Sequence, residues 1–194
     1  MKLHQILALL ILAAFYTAYF AKMLVQGQKG IRTNQIGRGS KPPETRRVEQ
    51  VMGIATIVIV MVEVWSIVFD RRWSASAWLT AAGLCIAAAG VLIFVLAMCA
   101  MRDSWRAGIS GSEQTELVTD GIYRFSRNPA FLGFDLMYIG VLTAFFNIPL
   151  LCITALTVVS LHRQILQEER FLLTVFGERY AAYCAHTCRY LGCR

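Results

Sequence analysis

Residues Leu117–Gly133 read LVTDGIYRFSRNPAFLG. The stretch begins in a polar segment and ends in an apolar run that continues to Leu161. Asp120-Gly121 is a turn signal, because Gly tolerates positive φ and the Asp side chain can bond its own backbone. Asn128-Pro129 marks a helix start: Pro at the first helical position has a preset φ and no N–H left to satisfy. A polar, Arg-bearing loop turned back onto the end of a membrane helix is suited to a charged ligand. The candidate site is placed there.

Working outward, the 194 residues are 57% hydrophobic and only 16% charged, with mean hydropathy +0.54. A soluble domain of this length is nearer half apolar and carries more charge. The apolar excess falls in long runs, so the fold class is an all-α polytopic integral membrane protein. The net charge of +7 does not indicate nucleic acid, because the basic residues flank apolar runs instead of lining one soluble face. Membrane lipids with anionic headgroups are the expected partner.

Five transmembrane helices are expected: Leu3–Val25, Val51–Phe69, Trp78–Met101, Pro129–Phe146 and Pro149–Leu161. The first apolar run is longer than a signal peptide's and lacks an A-x-A pattern after it. The third is rich in Ala and Gly, which suits close helix packing. The last two are joined by Asn147-Ile148-Pro149 as a helical hairpin. Gly177 reads as a helix C-cap, followed by a short helix over Glu178–Cys184. Glu63 lies inside the second span and is expected to be paired or to face a polar cavity, since an intramembrane carboxylate is costly. Asp135 sits one turn into the fourth helix, beside Phe131. Trp65, Trp73 and Trp78 fall where interfacial aromatics do.

The organisation expected is a first part, 1–101, of three spans with a basic loop at 26–50, and a catalytic part, 102–194, holding a loop, the hairpin 129–161 and amphipathic C-terminal helices. In loop 26–50, Gly37-Arg38-Gly39 has no preceding strand and reads as flexible basic loop, not a phosphate cradle. Of the 19 basic residues, all but Lys2, Arg71 and Arg72 fall on the side of the two long loops and the C-terminus. The positive-inside rule then puts the N-terminus outside and the candidate site and C-terminus in the cytoplasm. Of the six Cys, Cys85, Cys99 and Cys152 lie in apolar runs and read as small core residues. Cys184, Cys188 and Cys193 cluster with His186 but lack metal-site spacing, so no metal is expected. There is no internal repeat, which disfavours a repeat-built transporter.

The tight hairpin returns the chain to its starting side, so Thr115–Phe131 must meet His162–Tyr183 in a small cytosolic cap. On a helix, Gln164, Glu168 and Phe171 share one stripe, and Arg163, Gln167, Arg170 and Thr174 the next. Without further information, Glu168, Glu169 and Arg170 read equally well as a solvated face of weak ion pairs.

Together, LVTDGIYRFSRNPAFLG and EERFLLTVFGERYAAY resemble the signature of the isoprenylcysteine carboxyl methyltransferase family, which shares its C-terminal half with phospholipid methyltransferases. The resemblance covers roughly residues 101–184; the first two spans match only as generic helices. It implies S-adenosylmethionine as cofactor, S-adenosylhomocysteine as product, and cofactor contacts at Thr115, Glu116, Leu117, Val118, Tyr123, Asn128, Pro129, Ala130, Phe131 and Glu168. Asn128 stands where the family usually has His, and Phe131 where Tyr is common; Asn keeps a donor and an acceptor without a titratable proton.

The implied function is methyl transfer to the terminal carboxylate of a prenylated cysteine. That acceptor is already anionic at neutral pH, so alignment and exclusion of water suffice. Arg163 and Gln164 are the expected catalytic pair, Arg163 holding the carboxylate bidentately or serving only as a snorkelling anchor. The lipophilic acceptor would enter sideways from the bilayer. A lipid amine acceptor would instead need a base, and neither central motif offers an obvious His. A non-enzymatic channel or scaffold would use Glu63 and Asp135 as pathway residues.

Overall fold

In the computed structural model, the described residues are 1–31, 33–36, 41–73, 76–106 and 116–191. They form six α-helices: α1 (Leu3–Gln28), α2 (Pro43–Val68), α3 (Ala77–Met101), α4 (Pro129–Ala144), α5 (Ile148–Phe176) and α6 (Glu178–His186). Short 3-10 turns follow α3 at Arg102–Ser104 and precede α4 at Gly121–Arg124. No strand longer than an isolated bridge occurs among the described residues.

Four helices, α1, α2, α3 and α5, are long and apolar enough to cross a membrane. With 16 residues, α4 spans only about 24 Å at 1.5 Å per residue. It nevertheless runs between the same two ends of the bundle. At one end its preceding loop is tied to the C-terminal tail by Arg127 N to Cys188 O at 3.0 Å. At the other, Trp73 N donates to Phe146 O at 2.9 Å and Asn147 Nδ2 donates to Arg71 O at 3.0 Å. The chain therefore passes five times between two ends, in a polytopic all-α membrane protein.

Two helices run further into polar sequence than hydropathy indicates. α2 starts at Pro43, eight residues before the apolar run. Pro occupies its first turn, and the helix formers Glu44, Arg46, Arg47, Glu49 and Gln50 extend it. α5 continues unbroken from the last span through the amphipathic segment to Phe176. Gly177, at φ 51°, stops it, a backbone conformation that costs Gly little.

The expected hairpin exists in connectivity, yet its arms pack mainly on other helices: α4 on α3, and α5 on α2. Small residues decide this. Gly83, Ala87 and Gly90 of α3 meet Gly133, Gly140 and Ala144 of α4. A Cβ on Gly90 would lie 2.6 Å from Met137 N and 2.7 Å from Gly133 O. Lipid offers no hydrophobic drive between helices, so such backbone approach is what holds them. At the far end, Asn147 caps α5 by accepting from Leu150 N at 3.0 Å and donates to Ser66 Oγ at 3.0 Å, joining α2 to the α4–α5 turn. Asp70 collects Lys2 at 3.0 Å, His4 at 3.2 Å and Arg72 Nη2 at 3.1 Å. Trp65, Trp73 and Trp78 are exposed at this end.

Two expectations need correction. Cys85, Cys99 and Cys152 are exposed on helix surfaces and are not core residues; on α3, which carries Cys85 and Cys99, the close contact with α4 is made by Gly and Ala, which are smaller still. Glu63 is fully buried, and neither carboxyl oxygen has a hydrogen-bond partner among the described residues. Its helix face packs into the bundle, which gives it neither the ion pair nor the open cavity expected. Asp135 is also buried, with Oδ1 lacking a partner among the described residues.

Gly90→Ala should destabilise the protein by about 1–3 kcal/mol through overpacking against backbone. Gly27→Ala, where a Cβ meets nothing within 4 Å, should be neutral or stabilising by up to about 1 kcal/mol. Thermal unfolding of both variants in detergent reads the difference; equal behaviour would remove the α3–α4 seam as the organising contact.

Candidate functional site

The two segments expected to meet do meet, through a carboxylate clasp. Glu169 of α5 receives Arg127 Nε at 3.2 Å and Nη2 at 3.1 Å on Oε1, and Arg189 Nε at 3.0 Å and Nη2 at 2.8 Å on Oε2. Asn128 Nδ2 adds a bond to Glu169 Oε1 at 3.0 Å. Arg127 Nη1 reaches Thr187 O at 2.9 Å and Cys184 O at 3.3 Å. The Tyr183 hydroxyl donates to Tyr123 O at 2.5 Å, and Ser126 Oγ donates to Arg189 O at 3.3 Å. One carboxylate thus joins the loop before α4, the end of α5 and the tail. Charge-assisted bonds of this kind are about twice as strong as neutral ones. Burial pushes the Tyr123 hydroxyl well above its ordinary range, and the nearby Tyr183 and Glu168 add to the effect.

Beside the clasp lies a cavity of about 1070 Å³ among α1, α2, α4 and α5. Its polar end carries Glu168, Glu49, Gln50, Asn34 and Arg106. Aromatic walls come from Tyr19, Phe94, Trp105, Phe131 and Phe134. Trp105 is buried and packs edge-on to Tyr19 at 5.5 Å. At the apolar end the lining residues Phe20, Ile54, Ile57 and Met61 are exposed on α1 and α2. In a bilayer these residues face acyl chains, so this end of the cavity opens sideways into lipid.

Of the residues singled out in the sequence, Ala130, Phe131 and Glu168 line the cavity. Gln164 stands behind Glu168, fully buried, donating to Glu168 Oε1 at 3.0 Å; its Oε1 has no partner among the described residues. Tyr123, Asn128 and Pro129 are buried at the clasp, Leu117 and Val118 are half-buried on the loop, and Glu116 is exposed. Thr115, the Gly37-Arg38-Gly39 stretch and Cys193 lie outside the described residues. Arg163 is exposed. At about 100° per residue it sits about 140° around α5 from Glu168 and about 160° from Leu161, the two positions of α5 that line the cavity. The structure therefore does not bring Arg163 to the cavity. Among the described residues, the cation that lines it is Arg106, whose Nη1 donates to Asp103 O at 2.6 Å and Trp105 O at 2.9 Å. His162, the candidate base nearest the motifs, is hydrogen-bonded through Nδ1 to the Tyr190 hydroxyl at 2.7 Å.

Sequence reasoning missed Glu49, Asn34, Trp105 and Arg106. A signal for Glu49 was present: PPETRRVEQ opens with Pro and continues with helix formers, so the helix starts early and carries Glu49 inward. Trp105 and Arg106 follow α3 immediately, and only the fold shows that the 3-10 turn at Arg102–Ser104 directs them toward α1.

Glu169→Ala should cost about 2–3 kcal/mol, below the usual penalty for breaking a buried pair because Arg189 is partly exposed. It should also open the tail to protease before the helices. A tail that stays protected would show that the clasp does not hold it.

Comparison with known proteins adds the lineage. The phospholipid methyltransferase family model matches residues 78–179, the stretch that runs from α3 to the start of α6. A protein-S-isoprenylcysteine O-methyltransferase from Tribolium castaneum is 31% identical over 111 residues, covering 55% of this chain and 39% of that relative. The chain thus spans about two fifths of the relative's length. With more than half its residues matched, from the glycine seam to the clasp, the chain belongs to the phospholipid methyltransferase family, to which the isoprenylcysteine carboxyl methyltransferases that its signature resembles are related.

Proposed function

We propose that this protein transfers a methyl group from S-adenosylmethionine to the terminal carboxylate of a prenylated cysteine-type acceptor, forming a methyl ester. The observation that carries the reading is the shape of the cavity: polar and charged at the cap end, apolar and open to lipid at the other. A lipophile can slide in from the bilayer while its polar head stays at the cap.

The residues present fit the cofactor. A nucleoside needs a flat apolar or aromatic wall, and Phe131, Trp105 and Tyr19 supply one. Its hydroxyls and amino group need acceptors, and Glu168 faces the cavity, steadied from behind by Gln164. When bound, the cofactor supplies an electrophilic methyl on a sulfonium. The chain's own residues then orient and exclude water. Ala130 and Phe131 wall the reacting end, and Gln164 holds the Glu168 carboxylate in one rotamer. With the cofactor held by Glu168 and the aromatic wall, its sulfonium would offer the methyl carbon to an acceptor carboxylate oxygen and would leave as the neutral thioether, keeping the electron pair. No proton moves, which agrees with a site where Asn128 is engaged in the clasp and His162 in a bond to Tyr190. Alignment of this kind supplies several kcal/mol of barrier reduction, on the order of 7–11 in the best cases. Arg163, on the outer face of α5, is assigned to anchoring at the membrane surface.

The distribution of basic residues supports a cap and tail in the cytoplasm and the Asp70 end outside. A second reading, a lipid amine as acceptor, is favoured by the family description itself and by the Glu168 carboxylate that faces the cavity.

Glu168→Gln should weaken S-adenosylhomocysteine binding by about ten-fold or more, the worth of one charge-assisted hydrogen bond, with unfolding unchanged. Calorimetry on protein in detergent measures it. Undiminished affinity would remove Glu168 from the cofactor site.

A further inference from the structure

Two arginines of α5 take no part in the cavity or the clasp. Arg163 and Arg170 are exposed, and neither forms an ion pair or hydrogen bond with another described residue. Gln167, between them on the same stripe, is engaged with the start of α2. Its Oε1 accepts from Thr45 Oγ1 at 3.1 Å, and its Nε2 donates to Glu44 Oε1 at 3.4 Å. Deeper along the same seam, Thr157 Oγ1 donates to Ala55 O at 3.4 Å. These bonds set α2 and α5 antiparallel, with Gln167 on the seam. At about 100° per residue, Glu168 and Leu161, which line the cavity, lie about 100–120° to one side of Gln167. Arg163 and Arg170 lie about 40–60° to the other side. The two guanidinium groups therefore stand on the flank of the seam that faces away from the cavity.

Deeper in the bilayer that flank is apolar. Leu156 and Val159 on α5 and Val51 on α2 are exposed, and none of them lines the cavity. In a bilayer they meet acyl chains. Arg163 follows the apolar run that ends at Leu161, so it sits at the edge of the hydrocarbon layer. Arg170 stands two turns, about 10 Å, further out, and the headgroup layer is about 5–8 Å thick. Helical side chains lean toward the N-terminus of their helix. For α5 that is the opposite end of the bundle, so Arg170 leans back toward the bilayer. Arg163 lays its stem on apolar surface and lifts its charge outward. Both charges thus reach one headgroup layer. Glu44, bonded to the same Gln167, is a carboxylate at this edge, and the two arginines outnumber it.

We propose that this flank binds an anionic phospholipid, with its phosphate between Arg163 and Arg170 and its chains along Leu156, Val159 and Val51. Guanidinium pairs with phosphate bidentately, and basic recesses between helices suit anionic headgroups. A headgroup that carries its own cation would meet a second guanidinium, so zwitterionic lipid is disfavoured. The lipid touches α2 and α5 beside the bonds that join them. It therefore holds two walls of the cavity together without entering it, whichever acceptor is methylated.

The test titrates the purified full chain in detergent with dioleoylphosphatidylglycerol, dioleoylphosphatidylcholine and glycerophosphoglycerol, the last being the anionic headgroup without chains. Phosphatidylglycerol should raise the unfolding temperature saturably, and the other two should not. Arg163→Gln combined with Arg170→Gln should raise the phosphatidylglycerol concentration for half the shift by about twenty-five-fold, about five-fold for each arginine. Its S-adenosylhomocysteine affinity by calorimetry should stay at the parent value. Arg179→Gln, which removes an exposed arginine of α6, should leave the titration unchanged. Equal response of the parent protein to the two phospholipids overturns the inference, and that comparison needs no variant to fold. A matching response to glycerophosphoglycerol assigns a free-anion site and overturns it too. So does a parent-like titration of the double variant. A loss from Arg179→Gln as large as that from either single substitution would show diffuse charge attraction instead of a site. Lost S-adenosylhomocysteine affinity in the double variant would place the arginines at the cavity and overturn it as well.

Discussion

The backbone contact between α3 and α4 is the constraint on which the rest of this molecule depends. Gly83, Gly90, Gly133 and Gly140 leave no room for a Cβ, and the two helices close up as small residues allow in lipid. That fixes the start of α4 against α3, and so fixes where Ala130 and Phe131 face. With α4 committed to α3, α5 packs on α2, and the space between the two pairs, next to α1, becomes the cavity. A bulkier seam would move α4 outward and displace one wall of that space.

The clasp on Glu169 then sets the polar end. Arg127, Arg189 and Asn128 converge on one carboxylate, so the loop before α4 and the tail after α6 are held by the same group. Adjacent residues of α5 do different work. Glu169 faces the clasp, Glu168 faces the cavity and Gln164 supports it from the previous turn. A helix turns about 100° per residue, so one segment serves both without any irregularity.

Much of this was legible in the sequence, for identifiable reasons. Long apolar runs have one stable solution in a bilayer, so the helices followed from composition. Pro129 and Gly177 marked a start and a stop through backbone conformation alone. The meeting of Thr115–Phe131 with His162–Tyr183 was expected from the tight turn at Asn147; that it centres on Glu169 is visible only in the structure. What was not legible depends on tertiary context. Hydropathy cannot show that α2 begins at Pro43, because polar helix formers carry no apolar signal. Periodicity puts Arg163 and Gln164 on neighbouring stripes but does not say which stripe faces inward; α2 decides that by packing on α5. The cysteines in apolar runs could face lipid or core; for Cys85 and Cys99 on α3, the glycine and alanine seam against α4 takes the core position. Glu63 shows the same limit, since a span that contains a carboxylate does not disclose what surrounds it.

The two ends of the cavity meet different solvents, and this joins fold to function. The cap presents charge and hydrogen-bonding groups, while α1 and α2 present Phe20, Ile54, Ile57 and Met61 to lipid. An acceptor that is apolar at one end and anionic at the other matches both. The most direct measurement is transfer from labelled S-adenosylmethionine to a farnesylated cysteine by the purified protein, followed by treatment of the product with base. The account predicts a labelled lipophile that releases its label as methanol, as a methyl ester does. Label that resists base, or no label on the cysteine while a lipid amine is methylated, would contradict it.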